Sequence, residues 1–307
     1  MPPLDGIRVL DLTRLLPGAY ATQLLADRGA EVIKIEDPRG GDTMRTIGAR
    51  WFDAVNRGKK SVTLDLRRSA PTFDALLVTA DVLVDSFRPS TAKRLRVDPE
   101  TVRAKHPRLI CASLIGFPRD SPKVEQPAHD INYQSLAGLL TAMPGPLVAD
   151  IGGAMQMTIA ILAALVERQR TGVGCAIDVA LSDAARQWAT FPSTGDFASA
   201  CYTIYETADG EWLALGALED KFWRAFCEGL GRPDFVPLQY ARDFDEIKAV
   251  LRTKSRAEWL RRFEGVDTCL TPVRSAEASR PLEEQTAPAL GADTDAIVAD
   301  LRRRGLL

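Results

Sequence analysis

Histidine is scarce in this chain: two residues of 307, His106 and His129. The five cysteines, at positions 111, 175, 201, 227 and 269, show no CxxC or CxxH spacing. An odd, unclustered set fits reduced thiols in a cytoplasmic protein and argues against a disulfide framework or a zinc site, so no metal is expected. Charge of one sign is lacking too. The net charge is −2, which offers no basic surface to nucleic acid or membrane. The opening residues, MPPLDGIRVLDL, lack the basic and apolar regions of a secretion signal. The most apolar stretch, residues 151–166, is followed by ERQR; it falls short of a membrane span and reads as a buried core helix. No G-x-G-x-x-G follows the first predicted strand, where TRLLPGAY stands instead, which argues against a plain dinucleotide dehydrogenase.

What is present is a regular alternation. IRVLDL (7–12) is a short apolar run suited to a buried strand. A helical stretch follows, with Pro17 near its start and Gly29 near its end, and then the strand EVIKIE (31–36). This is a β-α-β unit, which implies parallel pairing with a right-handed crossover. Strands at 61–66, 81–87, 109–117 and 175–181, with helices from about Ser69, from Ser90 and after Asp150, continue the pattern. The expected fold is α/β: a doubly wound, mostly parallel sheet, Rossmann-like without the glycine fingerprint. From about residue 190 the pattern changes. Residues 202–218 read as a hairpin about Asp209-Gly210, followed by a capped amphipathic helix, two short helices and a strand. We therefore expect a large domain over 1–189, a small α+β domain over 190–275, and a return segment over 276–307.

The rare histidine stands directly before an acid, in AHDINY, and a second acid, Asp150, precedes IGGAMQMTIAILAAL. Each has a plain reading. His129 suits a loop histidine with a satisfied hydrogen bond, and Asp150 suits a helix N-cap. Glu219, at the head of EDKFWRAF, suits a first-turn acid favoured by the helix dipole. Each also suits chemistry. Imidazole titrates near neutrality, and a carboxyl in a dry site can be raised into the same range. The amides after Asp150, with Gly152 and Gly153 allowing close approach, would form an anion site. Arg88 and Arg94 flank the start of PSTAKRL, where a phosphate could meet guanidinium groups and amides. Arg39, Arg57, Lys59 and Lys60 are further cations at strand ends, each singly an ordinary surface charge.

Eight strings, in order along nearly the whole chain, resemble the class III CoA-transferase family (CaiB/BaiF) and, within it, the α-methylacyl-CoA racemase branch. They include LDGIRVLDLTRLLPGAYATQLLADRGAEVIKIE, DVLVDSFRPSTAKRL, HDINYQSLAGLL, ADIGGAMQ and YETADGEWLALGALEDKFW. The resemblance implies an interlocked homodimer acting on acyl-CoA thioesters, with no cofactor beyond the CoA carried by the substrate. It implies His129, Asp130, Asp150 and Glu219 as the catalytic set: His129 and Asp150 as acid/base groups, Glu219 fixing the imidazole and Asp130 partnering Asp150. The expected CoA-binding set is Arg39, Arg57, Lys59, Arg88, Arg94, Tyr133, Gly152 and Gly153. Racemisation of a 2-methylacyl-CoA needs an acid/base group on each face of the α carbon and stabilisation of the enolate between them. Two alternatives stay open: a transferase in which Asp150 attacks the thioester, and a shortened member that binds acyl-CoA with little activity. The glycine-rich lid of the transferase branch is missing. The chain also departs from the family in GFPRDSP, where Pro118 removes an amide N–H, and in short stretches before Asp150, at 183–203 and after TPV.

Overall fold

A computed structural model describes residues 1–140, 145–274 and 286–307. The chain forms two compact units. One comprises Met1–Thr190 together with the C-terminal stretch that ends at Leu307; the other begins at Phe191. The boundary expected at 275/276 and part of the short stretch before Asp150 (141–144) lie outside the described residues.

In the first unit, β1 (Arg8–Asp11), β2 (Glu31–Glu36), β3 (Lys60–Thr63), β4 (Val82–Asp85), β5 (Ile110–Ile115) and β6 (Ala176–Ala180) form a six-stranded parallel sheet. Their order is β3-β2-β1-β4-β5-β6. The direction of winding reverses between β1 and β4, the place where open α/β sheets bind ligands. The strands read as continuous apolar runs because both faces are covered. Val9, Val32, Val82, Val84, Ile110 and Ala112 belong to one core, shared with α1 (Leu15–Ala26) and α8 (Val148–Thr171). Their neighbours Leu10, Ile33, Ile35, Leu83 and Cys111 belong to the other. Four helices complete that second core: α4 (Ala70–Val78), α5 (Pro89–Leu95), α6 (Pro99–Lys105) and α13 (Thr294–Arg303). Alternation with period two thus divides each strand between two layers of helix.

Three short helices were not expected from the pattern: α2 (Met44–Ile47) and α3 (Ala49–Asn56) between β2 and β3, and α7 (Asp130–Ala137) after β5. The apolar run that falls short of a membrane span in the sequence is part of a longer element. Helix α8 has 24 residues, long and apolar enough to cross a membrane by length and composition alone. Its packing decides the matter: Ala154, Met157, Ile161 and Leu165 are buried in the first core. Helix α9 (Leu181–Thr190) follows β6 directly.

The second unit holds a three-stranded antiparallel sheet of β7 (Tyr202–Glu206), β8 (Trp212–Gly216) and β9 (Leu270–Pro272). Gly210, at φ +72°, supplies the left-handed residue of the β7–β8 turn. Helices α10 (Asp220–Leu230), α11 (Asp245–Leu251) and α12 (Arg256–Arg262) bury Trp223, Phe226, Ile247 and Trp259 against the sheet. Both indole N–H groups are satisfied by carbonyls, Trp223 on Val236 at 2.9 Å and Trp259 on Leu251 at 2.8 Å.

Two lysines are buried beneath the C-terminal ends of β1 and β2. The Lys34 ammonium meets Asp42 at 3.2 Å and donates to the Thr13 carbonyl at 3.0 Å. The Lys59 ammonium meets Asp11 at 3.1 Å and donates to Ala19, Thr22 and Asn56. Burial alone would raise the Asp11 carboxyl, but Lys34 and Lys59 with the Thr13 and Thr22 hydroxyls hold it down at about 2. Removing one partner of such a pair strands a charge in the interior. Asp42→Ala is therefore expected to cost ~3–5 kcal/mol in urea unfolding, and Lys34→Met combined with Asp42→Leu to recover most of that loss. A cost below about 1 kcal/mol for the single variant, the range of an exposed pair, would contradict this reading of the pair.

Candidate active site

A cleft of about 700 Å³ opens where β1, β4 and β5 end. Of the sequence-predicted residues it brings together His129, Asp130, Tyr133, Asp150 and Arg88. Its remaining wall is largely apolar, with Leu15, Leu16, Met44, Ile47, Val124, Ile131, Leu147 and Leu181.

The two acids are joined through backbone. Asp130, buried at the start of α7, accepts the N–H of Asp150 on Oδ1 at 2.8 Å. Its Oδ2 accepts from Gln134 Nε2, one helical turn on; the same nitrogen donates to the Pro146 carbonyl at 3.0 Å. Helix α8 begins at Val148, with Leu147 at the cap position. Asp150 is thus a first-turn residue and not the N-cap that the sequence suggests; Asp130 satisfies its amide from outside the helix. Burial, with the Asp130 carboxylate beside it, raises the Asp150 carboxyl to about 7. Tyr133 is pushed up to about 12 by burial and then by Asp150. Its ring packs edge-on against Phe117, and its hydroxyl lies where a Cβ at position 116 would stand, which requires Gly116.

His129 caps α7 and is exposed. Its N–H donates to Asn132 Oδ1 at 3.0 Å. The first-turn amides of α7, those of Asp130 and Ile131, have no protein acceptor among the described residues, and both residues line the cleft. The anion site expected from Gly152 and Gly153 is differently built. A Cβ at Gly152 would meet the Trp188 indole nitrogen at 2.6 Å, and one at Gly153 would meet Leu181 at 2.5 Å. These glycines let α9 pack closely on α8, and neither lines the cleft.

Two loops of the same design meet at the reversal point. Asp11 takes the Thr13 N–H at 2.8 Å, and Asp85 takes the Phe87 N–H at 2.9 Å. Each buried carboxylate thereby ends its strand and turns the chain, so that an arginine three residues on, Arg14 or Arg88, lines the cleft. The Arg14 N–H ties the loops together by donating to Ser86 Oγ at 2.9 Å. Next comes Leu15 at φ +63°, a conformation costly for a branched residue; the Asp42 carboxylate holds its N–H at 3.1 Å. Strain of this kind collects at ligand clamps.

Arg14 also lines a neighbouring cavity of about 250 Å³ that contains Arg39, Arg67 and Arg94. Arg39 is paired there with Asp37, whereas Arg14 forms no ion pair among the described residues. Sequence reasoning missed Arg14 and Gln134. The repeated D-x-x-R of DLTR and DSFR, and the four-residue step from Asp130, were the signals available. The amides at the start of α5 are not open as expected, because the Glu125 carboxylate accepts the Ser90 N–H at 2.8 Å and the Ser90 hydroxyl at 2.7 Å. Other expected cations lie away from the cleft. Arg57 pairs with Asp27, Lys60 with Glu31, and Lys59 is buried in the network beneath β1. Glu219 stands exposed at the cap of α10 in the second unit.

Comparison with known proteins follows the same lines. A family model described as CoA-transferase family III matches residues 4–295. The α-methylacyl-CoA racemase of Homo sapiens is 34% identical, over 89% of this chain and 78% of its own length. A probable fatty acyl-CoA transferase of Mycobacterium tuberculosis is 32% identical, over 96% of this chain and 90% of its own. The crystal structure of that mycobacterial protein is similar at a TM-score of 0.83 and 28% identity, covering 97% of this chain and 99% of that one. The succinyl-CoA:mesaconate CoA-transferase of Haloarcula hispanica is 34% identical, over 77% of this chain and 69% of its own.

The raised Asp150 carboxyl has a consequence for stability. A group that binds its proton more tightly folded than unfolded favours the folded state at low pH, and that contribution is lost as pH rises through the folded value. Asp150→Asn removes the titration. Its melting temperature relative to the parent is expected to climb between about pH 4 and about pH 7 and then level off. A difference that stays constant over this range would show that Asp150 titrates as an ordinary exposed carboxylate.

Proposed function

Because the chain belongs to CoA-transferase family III, we propose that it is a cofactor-independent racemase or epimerase of 2-methylacyl-CoA thioesters, acting as a homodimer. The observation that carries this reading is one apolar cleft lined by both His129 and Asp150, the latter held near 7. A carboxyl in that range is partly ionised at neutral pH, so it serves as base in one direction and as acid in the other.

In this mechanism the ionised Asp150 removes the proton from the α carbon. The C–H electrons move into the C–C bond, and the carbonyl π electrons move to the thioester oxygen, giving an enolate. Imidazolium at His129 returns a proton to the opposite face. The other enantiomer runs the same steps in reverse, with neutral His129 as base and protonated Asp150 as acid. The amides of Asp130 and Ile131, at the positive end of α7 and without a protein acceptor among the described residues, suit the enolate oxygen. Arg14 and Arg88 suit the phosphates of CoA, since Arg14 lines both cavities. Glu219 enters this reading through the resemblance alone.

The second reading is a CoA-transferase. There an Asp150 oxygen would attack the thioester carbonyl and expel CoA as thiolate, leaving a mixed anhydride. Relatives of both kinds, at 32–34% identity, favour keeping it. One feature weighs against it. Among the described residues, the arginines and lysines on the cleft wall are Arg14 and Arg88, so a dicarboxylic acyl group such as the mesaconate named for the Haloarcula enzyme would meet few cations.

Each face of the enolate has its own acid/base group, so the variants should differ by enantiomer. His129→Ala is expected to slow initial deuterium incorporation into one pure enantiomer, and Asp150→Asn into the other, each by on the order of 10²–10⁴. Exchange of both enantiomers at the parent rate in His129→Ala would overturn the two-base mechanism.

A further inference from the structure

Gln134 is a buried polar side chain, 4% exposed, that the chemistry above does not use. Its amide nitrogen spends both N–H groups on two acceptors. One is Oδ2 of Asp130 on its own helix; the other is the carbonyl of Pro146, the residue before the cap of α8. The Pro146 carbonyl also accepts the Val148 N–H at 2.9 Å. The other Asp130 oxygen takes the Asp150 N–H. Helix α7 therefore grips the first turn of α8 through two side chains one turn apart, and the two grips share a hydrogen bond.

We propose that Gln134 is a positioning residue for the reaction: with one amide nitrogen it holds the Asp130 carboxyl in place and fixes the backbone that presents Asp150. The inference rests on the reading of Asp150 as an acid/base group. Its physical content is a relay. A buried carboxyl keeps one orientation when hydrogen-bond donors satisfy it. Among the described residues, Asp130 has two: the Asp150 amide and Gln134. Held there, Asp130 adds to the effect of burial in raising the Asp150 carboxyl. Remove the Gln134 donor and Asp130 keeps one of its two hydrogen bonds; its carboxyl turns from its place beside Asp150, and its effect on Asp150 weakens. The other titratable or charged groups are few. His129 and Tyr133 lie on α7 itself, and Arg88 acts on Tyr133 from the β4 loop. Helix α9 carries Asp183 and Arg186, which pair with each other at 3.1 Å, and α1 carries only Tyr20.

Two variants separate this role from a purely structural one. Gln134→Leu removes both donors. Gln134→Glu keeps the shape but adds a third carboxyl, which donates to Asp130 only when protonated. The readout is the Asp150 carboxyl titration, followed by ¹³C NMR of aspartate-labelled protein and assigned by its loss in Asp150→Asn. In Gln134→Leu the midpoint is expected to fall by on the order of one pH unit. In Gln134→Glu the added negative charge is expected to raise it. The acid limb of the α-exchange rate profile should follow both shifts. Midpoints equal to the parent's, or moving the same way in both variants, would overturn the proposal. If Gln134→Leu does not fold, Gln134→Glu decides alone: an unchanged or lowered midpoint overturns the inference. The NMR readout needs no turnover, so failure of the relay is distinguishable from failure of the racemase reading, which would appear as absent α-exchange in the parent.

Discussion

Asp130 does two things with one carboxylate. It accepts the backbone N–H of Asp150, which fixes where α8 begins, and it places a negative charge beside the Asp150 side chain. The first effect is geometric and the second electrostatic, and they cannot be separated by moving either residue. A carboxyl pushed up to about 7, first by burial and then by the Asp130 carboxylate, suits proton transfer at neutral pH. Removing Asp130 would free the α8 amide and relax Asp150 together. The apolar wall, the two arginine loops and the open α7 amides have chemical meaning only around an Asp150 held in that state.

The scaffold beneath the cleft is built with similar economy. Charges that would destabilise an apolar core are paired: Lys34 with Asp42, and Lys59 with Asp11. Those same acids hold the turn after β1, since Asp11 takes the Thr13 N–H and Asp42 takes the Leu15 N–H. The buried pairs thus fix the shape of the loop that carries Arg14 and keep Leu15 in a conformation it would otherwise leave. Asp85 fixes the second loop in the same way; burial raises its carboxyl to about 6.

Much of this was legible in the sequence. Apolar runs at regular spacing predicted the parallel sheet, because burial on both faces leaves strands with little polar alternation. AHDINY and ADIGG marked His129, Asp130 and Asp150, and these do line one cleft. What could not be read was partnership at long range. NRGKK looks like a basic loop, but two of its cations pair with acids 29 and 30 residues away and Lys59 is buried. The glycines after Asp150 look like room for a ligand, but tertiary contact fills them with Trp188 and Leu181. The start of α5 looks open, but Glu125, distant in sequence, closes it. Asp150 looks like a cap because caps are local signals, whereas here the cap function is performed from α7.

The central claim is that protons, and not acyl groups, move at Asp150. The most direct measurement is incubation of the unaltered protein with one pure enantiomer of a 2-methylacyl-CoA in deuterated water, with no acceptor acid present. The account predicts inversion at the α carbon with deuterium incorporated there, while CoA stays bound as thioester. Retention of the α proton and of configuration, with activity arising only when a free acid is added and lost to hydroxylamine through capture of an Asp150 anhydride, would contradict it.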